Sequence, residues 1–177
     1  GAETYITEPT IISWAKAHGV LNGADLLSVI EDMQRDGVKD EKGVLRKEGI
    51  PSIVNFENET ALQSALATGP ASIAISADDL PNGAGNKSGW YKFGGARGGS
   101  TDHCVGLLGY GPAKYCFDLL NTPVPANAPT TTCYLMFTWN TIGVVDHKWL
   151  TGTCAEAWLR TPTVTGLPNP APPDPGP

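Results

Sequence analysis

The hydrophobic period of this chain changes once, at Gly69-Pro70, and that change limits the folds open to it. Upstream, apolar residues recur every three or four positions; downstream, they alternate or run in blocks of strand length. Thr7 is placed to cap a first helix, with Pro9 tolerated in its opening turn, Ile11, Ile12 and Ala15 on one side, and Gly19 as the stop. A second helix puts Leu26, Leu27, Ile30 and Met33 opposite Asp25, Glu31, Asp32 and Arg35, and Gly37 ends it. A third starts at Asn58 as cap, carries Ala61, Leu62, Ala65 and Leu66 as a stripe, and stops at Gly69-Pro70. After Pro70, "ASIAIS", "CVGLLGYG", "YLMFTW" and "AWLRT" read as strands. Helices first and strands afterwards make an α+β fold, because parallel βαβ units would interleave the two.

The strands are separated by long loops, notably "NGAGNKSGWYKFGGARGGSTD" before His103. A loop of that length in a compact domain is more often functional than accidental. Beyond Thr161, seven prolines between Pro162 and Pro177 predict an extended tail that forms neither helix nor ladder.

Charge and composition exclude several functions. The net charge of −6, with no block of like charge, argues against nucleic acid and anionic membranes as partners. No apolar run reaches the roughly 18 residues of a membrane span. No His or Cys pair sits at metal-ligand spacing, and no glycine motif lies between a strand and a helix to cradle a phosphate, so neither a metal nor another cofactor is expected. Four cysteines and the sequons at Asn58 and Asn86 point to an oxidising route, secreted or lysosomal in type. A bridge between Cys116 and Cys133 would close a loop of a size that contributes about 3 kcal/mol. Cys154 is then free, bonded to Cys104, or bonded outside the chain.

Of the three histidines, His18 stands beside a helix stop and His147 among charges, and both read as surface residues. His103 differs, because it stands where the Gly-rich loop enters an apolar strand and can be held rigidly while facing a cleft. Asn140 likewise ends an apolar run. If the two strands pair, its amide oxygen could fix the imidazole tautomer and leave the second ring nitrogen for proton transfer. Cys104 follows His103 directly, so on a strand its thiol points to the opposite face, expected to be the sheet's core, and cannot be the histidine's partner.

The succession "GPASIAIS", a Gly-rich loop with "GWY", "DHCVGLLGYG", "CYLMFTWNTIG" and "EAWLRT" resembles the C-terminal half of papain-like cysteine peptidases. Upstream, "YITEPTIISWAKAHGVLNGADLLSVIEDMQRDGV" is similar to that family's substrate-loop region and the amphipathic helix after it. The resemblance covers nearly everything up to Thr161 and implies a papain-like fold, with N-terminal helices followed by an antiparallel sheet or barrel lobe. It implies His103 as general base and Asn140 as its orienting amide, cleaving peptide bonds through an acyl-enzyme. Asp102 would line the primary specificity site with its main chain, and Asn22 and Gly23 would hydrogen-bond an extended peptide.

On this reading residues 1–69 are a helical lobe remnant, 70–161 the β-lobe with the His/Asn site, and 162–177 the tail. The nucleophilic cysteine and the oxyanion glutamine of the family would precede Tyr5, so the fold is expected to be incomplete at its N-terminus. The nucleophile would come from a separate polypeptide, or the chain would be an inactive homologue that binds or assembles, with itself or with a partner covering its open cleft. Three positions depart from the family pattern: Ile142 replaces the tryptophan that shields the Asn-His bond, Ala24 follows Gly23 in place of a second glycine, and Leu21 stands for a cysteine.

Overall fold

A computed structural model describes residues 4–160 and the backbone of 162–163. Among them the three expected helices form where their punctuation places them. Helix α1 (Glu8–Ala17) follows Thr7 with proline in its first turn. Asp25 caps α2 (Leu26–Arg35) by accepting from the Ser28 amide, and Asn58 caps α3 (Glu59–Thr68) by accepting from that of Ala61. Gly19 and Gly37 sit at φ 71° and 69°, the left-handed backbone that ends a helix at low cost. His18 accordingly lies against the Trp14 carbonyl at 2.8 Å through Nδ1, while Nε2 meets Asp36 at 2.9 Å; the bond to the Trp14 carbonyl, and then that to Asp36, draws the ring's pKa upward.

Strands β1 (Val38–Lys39) and β2 (Leu45–Glu48) form a small ladder that continues into β10 (Pro162–Thr163). Two residues of the proline-rich segment therefore pair with a strand; the rest of that expected tail, from 164 on, lies outside the described residues. Helix α1 packs on β1 and α2 on β2.

The main sheet has seven strands: β3 (Ser52–Ile53), β4 (Ala71–Ile75), β5 (Tyr91–Lys92), β6 (His103–Pro112), β7 (Thr132–Thr138), β8 (Thr141–Asp146) and β9 (Glu156–Leu159). Their order is β3-β9-β4-β6-β7-β8-β5, antiparallel except for β5 against β8, and the sheet does not close into a barrel. One face buries Ile73, Ile75, Val105, Leu107, Tyr134 and Met136, and Leu62 and Leu66 of α3 enter the same core. The helix before Pro70 thus shares a core with the strands after it.

Two further helices lie among the strands, where the sequence suggested none. Helix α4 (Ala113–Leu119) packs Cys116 and Phe117 against Cys133 and Val144 on the opposite sheet face. Helix α5 (His147–Thr153) buries Trp149 and Leu150. Each has seven residues, too short for an amphipathic period to declare itself. His147, expected at the surface, instead meets the Phe56 carbonyl through Nε2 at 2.8 Å.

Buried Asp146 starts α5. Its carboxylate accepts from the Trp149 amide at 2.8 Å and from the Gly94 amide at 3.0 Å, so one side chain both caps the helix and ties down the Gly-rich loop. Asp146→Ala removes the cap and leaves a loop amide short of its partner, for an expected loss of about 2 kcal/mol in urea denaturation. An unchanged midpoint would mean that water replaces the carboxylate at no cost.

All four cysteines are free thiols, which corrects the expected Cys116–Cys133 bridge. Both are buried in one cluster, but the Cys116 thiol is directed at the carbonyls of Gly111 (3.8 Å) and Cys133 (3.9 Å). Desolvation pushes Cys116 up to about 11 and Cys133 to about 12. No described helix is long and apolar enough to cross a membrane, and no three His, Cys, Asp or Glu side chains among the described residues gather to hold a metal.

Candidate functional site

His103 opens β6, and its position follows from the parity of that strand. Val105 and Leu107 face the core, so His103 shares their side and sits half-buried at the sheet's rim. Cys104 takes the other side and is exposed, paired with Ala74, which is itself paired with Glu156 of β9. The expectation that Cys104 points into the core is therefore reversed, because the core lies on the histidine's face. Its separation from the ring by strand alternation holds. Desolvation, aided by Glu156 and opposed by Arg160, leaves the Cys104 thiol above its ordinary pKa.

Between the sheet and the α1–α2 unit lies a cleft of 840 Å³. Ile6, Ile11, Trp14 and Val29 make much of its wall on one side; Ala74, Cys104 and Glu156 line the other. Asn22, Gly23, Asp102 and His103 all border it, so four of the five residues singled out for catalysis and peptide binding meet at one cavity. The Asp102 carboxylate accepts from the Ala77 amide at 2.9 Å, and the Asp102 amide donates to the Ile75 carbonyl at 3.1 Å, fixing the entry to β6.

Asn140 is not brought to the ring, which corrects the expected His-Asn contact. Thr138 and Thr141 pair across a two-residue hairpin turn whose central residues, Trp139 and Asn140, have φ of 43° and 62°. Positive φ at both positions is the primed turn that matches strand twist, and asparagine tolerates it well. Asn140 serves that turn and is exposed at its tip. The group on His103 is Thr138, 3% exposed, whose Oγ1 lies 2.6 Å from Nε2. Thr138 shares the core face with Met136 and Tyr134, which puts its hydroxyl on the histidine's side of the sheet.

The indole expected to be missing with Ile142 is supplied from another position. Trp139 lies over the imidazole at a centroid distance of 4.6 Å and an interplanar angle of 32°. Tryptophan at positive φ carries backbone strain, which gathers at sites where geometry is fixed for a purpose. Its side chain is backed by the Gly-rich loop, where a Cβ on Gly85 would come within 3.3 Å of Trp139 Cβ. Neither Thr138 nor Trp139 was singled out in the sequence, although "TWNT" carries the signal of a two-residue turn between strands. Burial lowers the His103 pKa, partly offset by Asp102, so the ring favours its neutral form.

The sequons remain exposed: Asn58 is the cap of α3, and Asn86 lies in the loop whose Ser88 hydroxyl accepts from the Ile142 amide at 3.0 Å.

No family model and no curated protein matches the chain. Solved structures do. A proform of Amb a 11, a cysteine protease and major ragweed pollen allergen, aligns over 100% of this chain and 51% of its own at 16% identity and a TM-score of 0.63. The Carica candamarcensis cysteine protease CMS1MS2, solved with E-64, covers 78% of this chain and 68% of its own at 15% identity and a TM-score of 0.52. Bromelain from Ananas comosus, also with E-64, covers 90% and 93% at 16% identity and a TM-score of 0.52. The chain thus spans about half the length of the ragweed proform. Identities this low carry the architecture alone, and the architecture agrees with the helices, sheet and cleft described above: this chain has the papain-like fold.

Proposed function

We propose that this chain is the histidine-bearing portion of a papain-like cysteine peptidase that hydrolyses peptide bonds together with a nucleophile-bearing segment outside residues 1–177. The observation that carries this reading is the position of His103, half-buried and held by Thr138, at the rim of a largely apolar cleft that Asn22, Gly23 and Asp102 also border. In this reading a segment outside residues 1–177 brings its thiol to the ring at the rim of that cleft.

In that assembly the imidazole takes the proton of the incoming thiol, and the thiolate attacks the scissile carbonyl carbon. The imidazolium returns the proton to the leaving amine as the peptide C–N bond breaks, and water then hydrolyses the thioester. Asn22, Gly23 and Asp102 hold the peptide main chain. The chain's own cysteines suit the nucleophile role poorly: burial pushes Cys154 up to about 12, and strand alternation turns Cys104 from the ring. Secretory or lysosomal-type routing is part of the proposal and rests on the exposed Asn58 and Asn86.

The displacement of Asn140 from His103 favours a second reading, an inactive homologue whose cleft binds a partner or another copy. Intact mass spectrometry of the natural, non-reduced protein after labelling with a thiol-reactive epoxide decides between them. The peptidase reading expects the label on a segment other than residues 1–177, with peptide hydrolysis lost on labelling. An unlabelled protein without hydrolytic activity would overturn it in favour of the second reading.

A further inference from the structure

We infer that Thr138 is the positioning residue of His103, and that its hydroxyl holds the neutral ring with the proton on Nδ1. The role in hydrolysis rests on the proposed function; the hydrogen bond and the tautomer do not.

The ring nitrogen is the one hydrogen-bond partner of the Thr138 side chain among the described residues, at 2.6 Å. Thr138 is 3% exposed, so its hydroxyl proton has little access to water. Were Nε2 protonated, it would donate to Oγ1 and leave the buried hydroxyl proton without an acceptor, at the cost of an unmade hydrogen bond. With Nε2 bare, the hydroxyl donates to it, and one bond satisfies both groups. The proton of the neutral imidazole then sits on Nδ1, the nitrogen Thr138 leaves free.

An amide oxygen at this position could only accept, and would enforce the opposite tautomer. A hydroxyl can do either. It donates to the neutral ring and, after rotation, accepts from Nε2 of the imidazolium, so His103 keeps its orientation in both charge states. Trp139, packed on the ring, and the Thr138–Thr141 pair at the hairpin end keep Oγ1 in place. The resting chain therefore presents a donor from His103, and the ring becomes a base at Nδ1 only when its proton moves to Nε2.

The test is nitrogen-15 NMR of the imidazole in the full chain, above the titration range of the ring. Wild type is expected to show His103 predominantly as the Nδ1–H tautomer. Thr138→Ser should keep that signature, because it keeps the hydroxyl. Thr138→Val should lose the preference, because it removes the donor to Nε2. A wild-type ring in the Nε2–H form, or a preference that Thr138→Val leaves intact in a folded chain, would overturn the inference. If Thr138→Val does not fold, Thr138→Ala decides, since it too removes the hydroxyl: an unchanged Nδ1–H preference in that folded variant would also overturn it. Tautomers as expected in a protein that never hydrolyses peptides would sink the proposed function and leave this inference standing.

Discussion

If the chain works in the proposed peptidase assembly, replacing His103 with glutamine is expected to lower kcat/KM for a peptide substrate by about 10²- to 10⁴-fold, the range a positioned general base supplies. Burial lowers the pKa of the free ring and Asp102 partly restores its affinity for a proton; in the proposed assembly the ring takes the thiol proton at Nδ1 once its own proton has moved to Nε2. Glutamine retains the approximate length and a polar end but cannot carry a proton between nucleophile and leaving group. The loss should fall mainly on kcat, because Asn22, Gly23 and Asp102 still border the cleft proposed to hold the peptide. Asn140→Gly is the matched control. Asn140 is exposed in a left-handed turn, and glycine preserves that turn, so most of the rate should remain. A His103→Gln protein that keeps wild-type kcat/KM would remove the histidine from the chemistry. A collapse of activity in Asn140→Gly would show that the asparagine reaches the ring during turnover.

The same pair of residues shows where the sequence carried enough information and where it did not. His103 was legible because its signal is local: a loop rich in glycine ends and an apolar strand begins. Asn140 looked equivalent, a polar residue at the end of a second apolar run. Choosing between Asn140 and Thr138 required two facts that no single segment contains, the register of β6 against β7 and the position of the turn. Gly106 faces Phe137, the strands slip at Leu107/Gly109, and the hairpin closes between Thr138 and Thr141. A shift of one residue exchanges the faces of a strand, so small errors in register reassign every contact. Helix caps contrast with this. Asp25 and Asn58 accept from amides three residues on, and the helices after Thr7 and Asn58 begin where the sequence places them. Helices α4 and α5 are held by tertiary burial of Phe117 and Trp149, which only the completed sheet provides. Cysteine spacing was compatible with a bridge between Cys116 and Cys133, yet spacing does not state where the thiols point.

Strand β8 was hidden for a related reason, and its central glycine yields the second large effect. Gly143 lies in the middle of "TIGVVD" with an extended backbone, and what it supplies is room. A Cβ at Gly143 would lie 2.1 to 2.2 Å from three carbons of the Trp90 indole. The indole has nowhere to go. Its Nε1 donates to Thr141 Oγ1 at 2.9 Å, the Trp90 carbonyl accepts from the Val144 amide at 2.9 Å, and the Gly89 amide donates to the Ile142 carbonyl at 2.8 Å. Gly143→Ala must therefore break this clasp or push β8 from its register, and overpacking of this kind costs about 1–3 kcal/mol. Here the upper end is expected, because three ring atoms and three anchoring bonds move together. The damage reaches the site, since Thr141 pairs with Thr138 across the hairpin and Thr138 holds the imidazole. Chemical denaturation should show the loss, and the His103 ring resonances should shift with it. The double variant Trp90→Ala/Gly143→Ala checks the cause. With the indole gone the added methyl has space, so the two changes should sum to less than their separate costs. Strict additivity would mean that alanine at 143 destabilises β8 through its backbone, and that the fit of Trp90 over Gly143 is not what holds the hairpin in place.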